Sequence, residues 1–556
     1  MKKLVLLLFL VLFLIPARPS GASLYEEQLN RGVRNSEPYS YILINEAKIN
    51  KKNAGDLFQE AIRHSPDLPA AYFERAKNSF AFTPKGIFEA VDSTLQGITA
   101  YKRNFWWSSM LIATLFSSVI LSFVISVLVI VMIRIPGDIS LFSHDIQEEK
   151  SNLFLLMVLA LAVFGPLYLL GALLVLVSLY QKKFLDKCII YCYVLFLLLS
   201  PWVFQTFSII FSAPVSAQLK AVVQVNESKD GRYALSLLKD SNNPAELFSY
   251  ALALKREGRY KEAIGSYDTL ISRKPDARLY NNLANCYTAT DNFAKAKDLY
   301  NKSIELKQLP SNLYNLSQVY RESFNFEKGE KYFLLAQGLD NDAVFRFRSI
   351  SGGNPNRFVI DEMLSFADLV KYAKGKAAGT VAMGLSVLPP KFMPFLGFAL
   401  AILFFLLNKK FKNRAYRCSK CGQILCIHCE SRILWGRMCS ECYSSLIKLD
   451  ELDAKERITK LLAVYEYQKR RRNLLKVMSF IIPGSCQIYT GSILYGLLFL
   501  WPFLFFLLVP IMNSFFVMEM SGFSHVWLNY ISVYLMVVVY FISNVITRRR
   551  LAKGWL

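Results

Sequence analysis

Six of the ten cysteines in this 556-residue chain fall between residues 418 and 442 as three CxxC pairs: Cys418 and Cys421, Cys426 and Cys429, Cys439 and Cys442. Two thiolates separated by two residues can turn toward one centre, and two such pairs complete a tetrahedral Zn²⁺ site at sulfur–metal distances of ~2.3 Å. Six sulfurs exceed what one ion needs. The preferred arrangement puts one zinc on the first and third pairs, and the middle pair, alone or with His428, completes a second site or supplies substitute ligands. All six cysteines are therefore candidate metal ligands, and the expected cofactor is structural zinc, one or two ions. Two other chemistries stay open. A CxxC pair can cycle between dithiol and disulfide, and structural disulfides would need an oxidising compartment. Clustered pairs on a basic background favour metal. Cys188, Cys192, Cys286 and Cys486 stand apart and are expected to be packing thiols.

No catalytic constellation accompanies the cysteines, so no enzymatic activity is expected. His144 and Asp145 form an isolated pair, placed in a short acidic loop where solvation is the ordinary state. Ser351, Gly352 and Gly353 are followed by no GK[ST] that could hold phosphate and read as a linker turn with Asn354 and Pro355. HExxH, GxSxG and kinase signatures are absent.

The elements that must position the cysteines are helical and largely apolar. Hydrophobic residues make up 53% of the chain and charged residues 19%, an excess that membrane spans explain. Apolar runs long enough to cross the hydrocarbon core, which takes ~20 residues, are expected at 106–133, 153–180, 188–211, 392–408, 491–512 and 524–547. Lys2, Lys3, the apolar run to Ile15 and the small residues near Ala22 have the layout of a secretory signal or anchor over 1–22. The piece from Val477 to Tyr489, broken by Pro483 and Gly484, is expected to be interfacial or re-entrant, and 477–547 closes the membrane region.

The net charge of +23 is carried by clusters beside those runs, at Lys409 to Arg417, Lys469 to Arg472 and Arg548 to Lys553. That distribution indicates cytoplasmic flanks facing anionic lipid, with nucleic acid only a minor alternative. It places the cysteine module, 414–445, in the cytoplasm of a multi-pass bacterial inner-membrane protein, with the basic amphipathic helix 446–476 behind it and a basic tail at 548–556. Counting back through a single segment at 378–408 puts the main repeat region outside. With three spans in 104–212, the first soluble region falls inside, although a cleaved signal would put it outside. The segment 106–133 and the proline-interrupted stretch near 388–394 are the expected sources of the conflict.

The clearest internal period is 33 residues: Tyr267, Tyr300 and Phe333 are equally spaced, as are Ala251, Ala284 and Ser317. Within it, Tyr250, Leu254, Gly258, Ala263 and Leu270 recur as Leu283, Tyr287, Ala296 and Ser303, and again as Leu316, Tyr320, Phe326, Gly329 and Ala336. Small residues fall where helices approach and large ones where a neighbour leaves a hole. The region resembles the tetratricopeptide repeat family, a stack of helical hairpins of this length. A shorter copy at Ala54, Phe58, Ala61, Pro66, Tyr72 and Ala76 marks 23–100. Ile360, Met363, Leu364, Phe366, Leu369 and Val370 are expected to form an amphipathic helix capping the end of the main array, 220–375. The cysteine module, with Gly422 after its first pair, resembles the zinc-ribbon and treble-clef class. Pro483, Gly484, Gln487, Tyr489 and Gly491 form a PGxxQxYxG string similar to the turn before a helix pair in small bacterial membrane modules, which implies a structural hairpin.

The expected fold is all-α: transmembrane helices, an α-solenoid and a small zinc-binding module. The repeat resemblance implies a protein or peptide partner in the groove, hence a membrane-anchored scaffold in an envelope complex, with the lipid bilayer as its other partner. Two rivals come from other classes. One is a membrane-bound transferase of glycosyltransferase type, using Asp138, Asp145, Glu148 and Glu149; the other is a zinc- or redox-responsive signalling protein.

Overall fold

A computed structural model describes residues 24–146, 165–181, 183–350, 359–376, 390–410, 414–426, 438–447, 454–516 and 526–553. The expected signal, Glu148, Glu149, residues 153–164, Ser351 to Pro355, His428 and Cys429 lie outside them. The fold is all-α, with one two-stranded antiparallel hairpin among the described residues, β1 (Tyr416–Arg417) and β2 (Ile424–Leu425). The chain divides into two compact units, residues 1–109 with 211–377 and residues 110–210 with 378–556.

In the first unit, α1 (Leu24–Asn30), α2 (Glu37–Ile49), α3 (Ala54–His64), α4 (Pro69–Ser79) and α5 (Pro84–Tyr101) precede α6 (Phe105–Ile146). After α7 (Pro166–Leu179) and α8 (Phe184–Ser212), the unit resumes with α9 (Ala217–Asn226) and α10 (Arg232–Leu237). Three hairpins follow: α11 (Pro244–Arg256) with α12 (Tyr260–Arg273), α13 (Ala277–Thr288) with α14 (Phe293–Leu306), and α15 (Pro310–Glu322) with α16 (Phe326–Leu339). Each helix packs on the next. The local chemistry repeats with the period. Asn243 and Asp276, 33 residues apart, cap α11 and α13, and Asn292 and Asn325 cap α14 and α16. Each hairpin turns on a left-handed residue at the same position, Gly258 (φ +76), Asp291 (φ +59) and Phe324 (φ +58). Glycine adopts that conformation freely, whereas a side chain costs ~1–2 kcal/mol there. Buried Ala263, Ala296 and Ala336 let the helices approach, and Tyr267 and Tyr300 fill the core with no exposed surface.

The N-terminal hairpins are part of the same body. Arg34 and Asn35 donate their backbone N–H groups to the Ser228 carbonyl (2.8 and 3.1 Å), and the Asn35 side chain donates to the Glu227 carbonyl (2.7 Å) and to Asp67 (2.9 Å). Lys229 pairs with Glu37 and Glu227 (3.0 and 2.6 Å).

The array ends in α17 (Asn341–Ile350), which packs on α16. The expected capping helix is corrected in both form and place. Residues 359–365 are extended, and only α18 (Phe366–Lys376) is helical. It docks near the start of the array: Tyr372 donates to Glu246 (2.6 Å), Lys376 pairs with Glu246 (2.8 Å), and Arg278 pairs with Asp368 (2.7 Å). Of the apolar residues in the expected stripe, Leu369 is buried, Ile360, Met363, Leu364 and Phe366 are half-buried, and Val370 is exposed.

The second unit holds most of α6, then α7, α8, α19 (Met393–Lys410), the β-hairpin, α20 (Ser440–Leu446), α21 (Ala454–Ile481), α22 (Ser485–Tyr489), α23 (Ile493–Phe515) and α24 (Val526–Ala552). Among the described residues four helices, α6, α8, α23 and α24, are long and apolar enough to cross a membrane. Of the six expected spans, the described parts of the other two form the shorter apolar helices α7 and α19. The first expected span does not end near residue 133. It continues as helix to Ile146, so that α6 is ~63 Å long, and Asp138, His144 and Asp145 are helical residues. Arg134 and Asp138 pair one turn apart (2.6 Å), which tolerates charge on this helix. Asp145 is not solvated as expected: it accepts from the Tyr180 hydroxyl (2.8 Å) and the Ala415 N–H (2.9 Å).

Those contacts, with Lys187 donating to Asn408 (3.1 Å), gather the end of α6, the start of α8 and the end of α19 at one end of this unit. The chain therefore enters and leaves the stretch 147–181 at the same end.

The PGxxQxYxG string forms two turns on either side of the short helix α22. Gly484 (φ +81) and Gly491 (φ +89) make its turns, and a Cβ at Gly484 would lie 2.2 Å from the Gly496 carbonyl oxygen. Gln487 donates to Thr547 (2.8 Å), tying α22 to α24.

Candidate functional site

The first and third cysteine pairs converge. The sulfurs of Cys418, Cys421, Cys439 and Cys442 all lie within 4.8 Å of one another. A tetrahedron with ~2.3 Å metal–sulfur bonds has sulfur–sulfur edges of ~3.8 Å, and Cys421 and Cys439 are already 3.7 Å apart. The β-hairpin builds half of the site. Cys418 donates its N–H to the Gln423 carbonyl (2.8 Å), and Gly422 (φ +81) donates to the Cys418 carbonyl (3.1 Å), folding the chain back beneath the sulfurs. The start of α20 builds the other half, because Cys439 is its N-cap and Cys442 lies in its first turn.

Backbone N–H groups point at the sulfurs, Cys439 at Cys418 and Cys442 at Cys439, each at 3.4 Å. Burial opposes ionisation of Cys418, but the N–H groups of Cys421, Cys439 and Lys420 prevail and hold its thiol at about 7. Burial pushes Cys439 up to about 11 and raises Cys442 as well, with Cys421 and Cys418 adding to both. Four crowded sulfurs cannot all ionise without a cation among them. A soft divalent ion removes that obstacle, so the donor set fits zinc.

Helix α21 closes the module. Gln468 donates to the Ser419 and Lys420 carbonyls (3.1 and 2.8 Å), Lys460 pairs with Glu441, and the Tyr467 ring lies against Gly422, where a Cβ would meet it at 2.5 Å.

Cys426 is not part of the cluster. Successive side chains on a strand point to opposite faces. Leu425 packs with the four cysteines, whereas Ile424 and Cys426 face Leu141 and Ala415. Cys429 and His428 fall outside the described residues. The expected packing role suits Cys286 and Cys486, both buried, whereas Cys192 is exposed on α8.

The second site is the face of the array formed by the first helix of each hairpin, and it is filled. Residues 359–365 run across it in extended form, held by buried asparagines. Asn315 accepts from the Ile360 N–H (2.7 Å), Asn282 from the Glu362 N–H (2.8 Å) and Asn226 from the Leu364 N–H (2.8 Å). The Ile360 carbonyl accepts from Asn281, Asn285 and Asn315 (3.0, 3.0 and 2.8 Å), and the Glu362 carbonyl from Asn282 (2.8 Å).

Side chains are also read. Asp361 accepts from Lys255 (2.7 Å) and Asn285 (2.8 Å), and Glu362 accepts from the Ser311 hydroxyl. Burial works against the Asp361 charge, but Lys255 and Arg256 outweigh it and hold the carboxyl below its usual range. Ile360 packs against the cluster of Leu313, Tyr314 and Val344. A cavity of about 710 Å³ lies alongside, with Arg34, Arg256 and Arg346 among its lining residues.

Sequence reasoning missed the asparagines. One signal was available: Asn282 and Asn315 stand 33 residues apart at the same repeat position, which places both on the same face of successive first helices.

Residues 277–308 and 310–342, the hairpins α13–α14 and α15–α16, match the family model of the tetratricopeptide repeat. The expected repeat architecture holds there, and α11–α12 continues it at the same spacing. No curated protein matches the chain in sequence.

Proposed function

We propose that this protein is a membrane-anchored adaptor, not an enzyme, whose repeat array holds an extended segment of a partner protein. The observation that carries the reading is the asparagine ladder: three N–H groups on alternate residues of one strand are each received by an amide on a different helix. Such a surface grips peptide backbone and offers no reacting group.

The membrane helices would keep this grip at a bilayer, in a bacterial inner membrane. The basic flanks favour a cytoplasmic cysteine module, stabilised by one zinc on Cys418, Cys421, Cys439 and Cys442. Because the stretch 147–181 begins and ends at one end of the second unit, five crossings suffice, and both repeat regions then share the periplasmic face with a cleaved signal. That parity agrees with the N-terminal hairpins and the array forming one body.

Two experiments test the reading. In the first, full-length chain is purified from native membranes, wild type beside an Asn282→Ala, Asn315→Ala double variant. A stoichiometric partner recovered with wild type and lost from the variant supports the adaptor, whereas partners retained equally by both refute groove binding. In the second, single cysteines placed at Lys261 and Lys455 are labelled with an impermeant thiol reagent. Only the first should react in cells with an opened outer membrane, and reaction of Lys455→Cys there would refute the orientation.

A further inference from the structure

The groove's own occupant defines what else it can take. The strand 359–365 is held in two ways. Its backbone is gripped at Ile360, Glu362 and Leu364, a two-residue period that any extended chain presents. Its side chains are selected at three adjacent positions. An aliphatic group enters the Leu313 and Tyr314 cluster, an aspartate meets Lys255 with Arg256 beside it, and a glutamate reaches Ser311.

The contacts come from α9, α11, α13 and α15. No covalent element is involved, so another chain with the same pattern can make every one of these bonds. The neighbouring cavity, lined by both basic and acidic residues, leaves room beside the strand.

We propose that residues 359–365 are an internal stand-in for the array's ligand. The partner is then an extended segment of another protein with an aliphatic residue followed by Asp and Glu, which binds by displacing this strand. The proposal rests on the adaptor reading and adds to it both the chemistry of the partner and a closed resting state. Apparent affinity in trans is set by the fraction of molecules whose strand has left the groove.

The test uses the full-length chain in lipid nanodiscs and a fluorescein-labelled Val-Ile-Asp-Glu-Met-Leu-Ser peptide, read by anisotropy. The double substitution Ile360→Pro, Glu362→Pro removes two of the gripped N–H groups from the internal strand and leaves the asparagines untouched. Releasing the strand should tighten peptide binding by about tenfold or more over wild type. The same peptide with lysine in place of aspartate should bind the released variant at least about tenfold more weakly, since it sets a cation against Lys255. Equal affinity of wild type and released variant, or equal binding of the two peptides, would overturn the proposal.

A second measurement on unaltered protein serves if the double variant misfolds. Saturating unlabelled peptide should accelerate hydrogen exchange at Ile360, Glu362 and Leu364, and unchanged exchange with peptide bound would place binding elsewhere. A cellular partner that co-purifies equally with wild type and the released variant would leave the adaptor standing and remove the internal occupant from its mechanism.

Discussion

Replacing Asn315 with alanine gives the most direct measure of how firmly the groove holds its strand. Asn315 is fully buried, and its side chain accepts from the Ile360 N–H (2.7 Å) while donating to the Ile360 carbonyl (2.8 Å). The carbonyl keeps Asn281 and Asn285 as donors, but the N–H loses its acceptor. Leaving such a donor desolvated costs about 1–3 kcal/mol. The equilibrium for local release of the strand should therefore rise by about 5- to 150-fold, at about tenfold per 1.4 kcal/mol. Amide hydrogen exchange on the full chain in nanodiscs reads this directly, through faster exchange at Ile360 and Glu362. Asn312→Ala is the control. Asn312 is equally buried, but it bonds to Ser303 (2.9 Å) and to the Lys307 carbonyl (3.0 Å) within the stack, so it should loosen the junction of α14 and α15 without singling out the strand. Unchanged exchange at Ile360 in Asn315→Ala, or identical exchange patterns in the two variants, would refute the account of the ladder.

Three further outcomes are expected. Elemental analysis of purified protein should find one zinc per chain, lost in Cys418→Ser and retained in Cys426→Ser; retention in the first or loss in the second would contradict the four-cysteine assignment. Gly422→Ala should weaken zinc retention against a chelator by about tenfold or more, because a left-handed alanine costs ~1–2 kcal/mol and its methyl also displaces the Tyr467 ring. Phe324→Gly should stabilise the first unit by about 0.5–1 kcal/mol, since it relieves a left-handed conformation (φ +58) at an exposed side chain; a lower melting temperature would count against strain at that turn.

The structure also changes what the membrane-facing sequence means. Hydropathy finds apolar runs but not where a run turns back. Six runs pass a length test, whereas Asp145, which precedes the run expected at 153–180, and Tyr180, at that run's end, meet beside Ala415 at one end of the second unit. Charge placement carried the opposite difficulty. Asp145 read as a loop residue, yet it and Asp138 both lie on α6 and each has a partner, Arg134 for Asp138 and Tyr180 with the Ala415 N–H for Asp145.

What the sequence determined by itself was whatever depends on spacing along the chain. The 33-residue period specifies hairpins of fixed length, because helix contacts, caps and turns must each recur with it. The CxxC intervals specify which sulfurs can share an ion, since a two-residue gap is a local geometric constraint. Tertiary structure alone decided matters that join distant residues. Strand alternation turned Cys426 away from the other four sulfurs. The apolar residues from Ile360 to Leu364 had a pattern compatible with a helix, but a row of buried amides on three separate helices offered the backbone N–H groups partners that only an extended strand could reach, and that competition put the strand in the groove.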